Sequence, residues 1–185
     1  MYAMNDAQRA MTSWVGTLTS GGVFRSKHEE AGVTLAAYVV GEEAMSELRD
    51  WMQQQSSAVL RSAQKACIEV CIWMANADRK LDPAEVALLK ELIACSQLDD
   101  DDQDELVAAV HDPPSMDRIE ERIAHPVLRE LMIALMWEMA MSDGELAKAE
   151  SDLLAGFAER FEIDRERAMS LRDAVHAKLS ERPPA

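Results

Sequence analysis

The chain is short of the residues that build sheets and tight turns. Aromatic residues make up 5% of its 185, and it has 7 Gly and 6 Pro. Strands draw on β-branched and aromatic side chains, and all-β folds need frequent Gly- or Pro-bearing turns. A chain poor in both, yet 48% hydrophobic and rich in Ala, Leu and Met, reads as helical. Cysteine is scarce too: there are three, an odd number, and MYAMNDAQRAMTSW has no basic segment followed by an apolar core. This points to free thiols in a reducing compartment, hence the cytoplasm. Long apolar runs are missing. Leu131 to Trp137, LMIALMW, is far shorter than the ~20 residues that span a bilayer.

Basic residues are the other shortage. Lys and Arg number 19 against 34 Asp and Glu, a net charge of −15. Phosphate backbones repel such a surface, so no nucleic-acid partner is expected. The excess is uneven. Asp78 to Glu121 holds 14 acids and 4 bases, a net of −10 in 44 residues. The natural partners of that region are cations or basic protein surfaces.

Residues 1–57 are read as an N-terminal extension of helical character and unassigned function. Within it VTLAAYVV, Val33 to Val40, suits a strand or a buried helix, and helix is favoured because no partner strand is evident. Glu42 to Gln54 carries Met45, Leu48 and Met52 at helical spacing. Residues 58–180 are read as the main helical domain and 181–185 as a frayed tail. Ser56 or Ser57 caps a long helix reaching about Ala77. Asp82-Pro83-Ala84-Glu85 has the form of a capping box with Pro at the first helical position. Asp99 or Asp100 starts the next helix, Ser115 a short one to Ala124, and Pro126 one reaching Met141. Two more cover about 147–161 and 164–179. The fold class is all-α, a compact antiparallel helical bundle.

Two segments align without gaps at an offset of 65. WMANADRKLDPAEVALLKELI begins at Trp73 and EMAMSDGELAKAESDLLAGFA at Glu138. Asp78 falls on Asp143, Leu81 on Leu146, Glu85 on Glu150 and Leu89 on Leu154. Each copy reads as helix, acidic turn, helix, and packing accounts for the apolar matches. Capping with Asp82 accounts for Glu85 but not for Glu150, because Ala147 stands where Asp82 stood. If the copies pack about a pseudo-twofold axis, Asp78, Glu85, Asp143 and Glu150 come close enough to hold a hard divalent cation such as Ca²⁺, Mg²⁺ or Mn²⁺.

The doubled pattern Ala77-Asp78-x-x-Leu81-x3-Glu85 and Ser142-Asp143-Gly144-Glu145-Leu146-x3-Glu150 resembles the TerB-like domain of tellurite-resistance proteins, found also in some DnaJ-type co-chaperones. The resemblance covers roughly Ala58 to Leu179. It implies an all-helical fold and a bacterial tellurite or chemical-stress role. It also implies metal or protein interaction through the acidic residues, the partner being a basic protein surface or a component of a stress-response complex. Arg79 departs from the family's preferred Gly. Beside it stands a bottom-up alternative, a metal-dependent hydrolase using the same four carboxylates. No His-bearing metal motif, phosphate loop or nucleophile elbow accompanies them, so a non-enzymatic module is favoured. Peripheral membrane association through residues 1–40 is a third reading.

Three other signals have plainer accounts. DDDDQDEL, Asp99 to Leu106, lacks the Gly and Glu of a calcium loop and reads as a helix start. Cys67 and Cys71, and the stripe Met132, Met136 and Met139, read as core.

Overall fold

The computed structural model describes residues 36–78, 81, 83–94, 96, 98–141 and 148–180, apart from the side chains of residues 84, 85, 88, 178 and 179. The described secondary structure is all helix, with no strand among these residues. Residues 36–40 are helical, as expected for the end of VTLAAYVV. Gly41 then turns the chain at φ 102°, a value an L side chain rarely adopts. Its N–H bonds back to the Ala37 carbonyl and its own carbonyl accepts from Met45 N–H, so it ends one helical stretch and opens the next.

That next helix is α1, Glu42–Gln54, and the expected face is the buried one: Met45, Leu48 and Met52. Ser56 caps α2, Ser57–Ala75, by accepting the Val59 N–H. Then come α3, Pro83–Ala94, and α4, Asp100–Ala109, the latter capped by Asp99 on the Asp102 N–H. The short α5 is Ile119–Arg122, followed by α6, Pro126–Met141; α7, Lys148–Arg160; and α8, Arg165–Ser180.

Two helices carry the core. α2 beyond its first turn and α6 bury most of their residues and pack on each other, as helices apolar over most of their circumference do. α3, α4 and α5 surround α2, while α1, α7 and α8 surround α6. The Met stripe belongs here: Met132 and Met136 are fully buried and Met139 packs against the core. Leu81, the turn leucine of the first acidic segment, also packs against the core. Its counterpart Leu146 lies outside the described residues.

Hydrogen bonds fix the directions. Partners on α2 and α4 rise together: Arg61 with Asp99, Lys65 with Asp102 and Glu105, and Asn76 with the Val110 carbonyl. So α2 and α4 run the same way. So do α6 and α8, where Glu130 meets Arg167 and Trp137 lies under Arg172.

One helix departs from the sequence reading. The helix expected from Ser115 to Ala124 is four residues, Ile119–Arg122. The Ser115 hydroxyl accepts the Asp117 N–H in a tight turn, and Arg118 sits in the left-handed region at φ 58°. α7 ends at Arg160 as expected, and the left-handed Glu162 closes it, with Ile163 N–H on the Ala158 carbonyl and Glu162 N–H on the Glu159 carbonyl. That is a Schellman closure with Glu where Gly is usual.

Candidate functional site

The four sequence-selected acids are only partly in view. Asp78 follows α2 and is exposed; Glu150 stands half-buried in the first turn of α7. Asp143 and the side chain of Glu85 lie outside the described residues, as does Asp82 of the expected capping box. Among the described residues, no group of three or more His, Cys, Asp or Glu is placed to hold a metal ion.

The structure brings other charged residues together. Arg61, Lys65 and Glu69 recur every four residues along one face of α2 and meet α4 and α5 across an open groove. Its cavity volume is about 700 Å³, and Ser57, Ser62, Asp102, Glu105 and Arg122 also line it. Neither Asp78 nor Glu150 lines it. Every carboxylate in the groove is ion-paired. The Lys65 ammonium lies 2.7 Å from both Asp102 Oδ1 and Glu105 Oε2. Burial pulls the Lys65 pKa down, but the hydrogen bonds and charges of Asp102 and Glu105 together outweigh it and hold the ammonium above its ordinary value. Arg122 grips Glu69 with two bonds, 2.5 and 3.0 Å, and the Glu69 side chain is 7% exposed. Arg61 closes the row on Asp99.

This network was not singled out from the sequence. The four-residue spacing of Arg61, Lys65 and Glu69 was the available signal, but a charged stripe on a helix ordinarily faces water. The acids that meet it stand 37 to 40 residues away and the arginine 53.

Among the described residues, the two cysteines do not form a reactive site. Cys67 and Cys71 are fully buried and unbridged. Burial, opposed by a backbone hydrogen bond, pushes the Cys71 thiol up to about 12, and burial followed by the Cys71 charge raises Cys67. Both are thiols rather than thiolates at neutral pH, hence poor nucleophiles and ligands.

With an all-α bundle and exposed acids in place, the comparison with known families is decisive. A family model described as tellurite resistance protein TerB matches residues 64–173, more than half of the chain. The chain belongs to the TerB family. Neither a curated protein nor a solved structure matches it. The TerB match opens inside α2 and closes inside α8, so it covers Lys65, Glu69, Asp102, Glu105 and Arg122 of the groove and both acidic turns, but not Arg61. It leaves α1 outside, although Met45, Leu48 and Met52 of α1 lie in the same core as the matched helices. Among the described residues, no helix is long and apolar enough to cross a membrane.

Proposed function

We propose that this TerB-family chain is a non-enzymatic helical module of a bacterial tellurite or chemical-stress response, and that its acidic turns engage positive charge. That charge is a divalent cation or the basic surface of a protein partner. The observation that carries the reading is where the acidic excess stands. Asp78, Asp100, Asp101 and Asp104 are exposed, and Asp100 and Asp101 crowd the first turn of α4. Among the described bases, Arg61 and Lys65 are taken up by Asp99, Asp102 and Glu105, and Arg118 and Arg160 by Glu121 and Glu120. The repeated acids Asp78, Glu85, Asp143 and Glu150 are the residues we assign to contact. Oxygen donors of this kind suit Ca²⁺, Mg²⁺ or Mn²⁺.

The test is a thermal melt of chelator-treated protein, alone and with each ion in turn, repeated on Asp143→Asn/Glu150→Gln. An ion at 100 times its dissociation constant adds about 2.7 kcal/mol. A rise of several degrees for one ion in wild type and none in the variant assigns the acids to metal. With no ion-specific rise, salt-dependent retention on an immobilised basic protein, lost in the same variant, assigns them to a protein partner. Absence of both ends the proposal.

A further inference from the structure

Several hydrogen bonds recur at the offset of 65 that the sequence repeat has. α4 starts at Asp100 and α8 at Arg165. Asp99 accepts the Asp102 N–H at 3.0 Å, and Asp164 accepts the Arg167 N–H at 2.8 Å. Gln64 donates to the Ser96 carbonyl, and Arg129 donates to the Phe161 carbonyl. One equivalence is inverted. Lys65 on α2 pairs with Asp102 on α4, whereas Glu130 on α6 pairs with Arg167 on α8. The contact is the same and its polarity is reversed.

We propose that this reversal keeps α4 and α8 from exchanging places, within one chain or between two copies. The apolar side chains of these helices cannot make the distinction. Leu106 and Val110 on α4 are matched by Leu171 and Val175 on α8, the same residues at the same offset, and all four are buried. A bundle with α8 against α2 would set Arg167 against Lys65. A bundle with α4 against α6 would set Asp102 against Glu130. Each exchange turns an attraction into a repulsion, which is how specificity against a wrong partner is built. The groups are sheltered enough for the sign to count: side-chain exposure is 17% for Lys65, 22% for Asp102, 21% for Glu130 and 34% for Arg167. Water and salt screen such pairs less than open surface pairs.

The deciding variant is E130K/R167E in the full chain. It preserves an ion pair between α6 and α8 but gives it the polarity of the pair between α2 and α4. Glu at 167 stands three residues after the Asp164 cap, a favourable capping position, so α8 itself is not weakened. The protein is unfolded in urea, refolded over a range of concentrations, and sized by chromatography with light scattering. Wild type is expected to return to its starting species at every concentration. E130K/R167E is expected to give an added dimer or larger species whose share rises several-fold with concentration. Adding K65E/D102R/E105Q makes the two pairs opposite again and is expected to restore uniform refolding. Refolding of E130K/R167E as uniform as wild type overturns the proposal. If that variant does not refold at all, recovery by the three added changes supports the polarity argument, and failure to recover overturns it.

Discussion

Replacing Arg122 by Met tests whether the Glu69 pair on the groove floor is a requirement of the fold. Methionine keeps most of the aliphatic stem, so the change removes charge more than packing. It leaves a Glu69 carboxylate, 7% exposed, without the two guanidinium bonds that hold it. Breaking a fully buried pair from one side costs about 3–5 kcal/mol. Arg122 is 28% exposed and faces an open groove, so water reaches the site and the expected loss is about 2 kcal/mol. For a chain of this length that lowers the melting temperature by roughly 4–8 °C. The second arm is Glu69→Gln/Arg122→Met, which removes both charges and should recover at least half the loss. Chemical denaturation at pH 7 reads all four proteins of the cycle. A single-variant loss below about 0.5 kcal/mol, or a double variant no more stable than R122M, refutes the reasoning, because the pair would then be an ordinary surface bridge.

Leu48→Ala should cost about 2–5 kcal/mol despite lying before the family match, because Leu48 is fully buried among residues of the matched domain; urea denaturation reads it, and a loss under 1 kcal/mol would detach α1 from the core. His125 should make stability fall on acidification. Its Nδ1 accepts the Val127 N–H at 3.2 Å and its ring lies 5.1 Å from that of Trp51, an arrangement that needs the neutral imidazole. Burial lowers its pKa, with the Glu47 charge opposing. The folded form therefore binds its proton later than the unfolded form, and the contribution is complete above about pH 6.5 and lost as the pH falls below it. His125→Gln should flatten that limb of a stability–pH profile, and an unchanged profile would rule the histidine out as its source.

What the sequence disclosed was set by local chemistry. The bounds of α1 and its buried Met45, Leu48 and Met52 follow from a three-to-four-residue period that nothing distant overrides. The Asp99 cap is equally local, one carboxylate reaching an N–H three residues on. Where reading failed, the cause was elsewhere in the chain or in one dihedral. Ser115 has the composition of a cap, but its hydroxyl is taken by Asp117, and the left-handed Arg118 postpones the helix to Ile119. The groove network needs α2, α4 and α5 assembled before its charges meet, so no window of sequence contains it. Of the candidate acids, the spacing was legible and the geometry was not. Asp78 and Glu150 are placed on separate helix pairs, α2–α3 and α6–α7, and their approach depends on how those pairs meet at the turns.

The two described cysteines, Cys67 and Cys71, are better explained by packing than by ion chemistry. At the offset of 65, Ala63, Ala66, Cys67 and Cys71 on α2 correspond to Leu128, Leu131, Met132 and Met136 on α6, and all eight are buried. The smaller set lies on one central helix and the larger on the other, and the two helices pack on each other. A core made of two similar helices fills its space only if bulk on one is met by its lack on the other. That requirement accounts for cysteine at 67 and 71 by size alone. Burial then keeps both thiols protonated, which withdraws soft, sulfur-based ligation from the described residues. The ionised oxygens left at the surface are carboxylates, in excess over the bases that could neutralise them. On the function proposed above, these carboxylates rather than the thiols would be the groups that meet a hard cation or a basic protein surface.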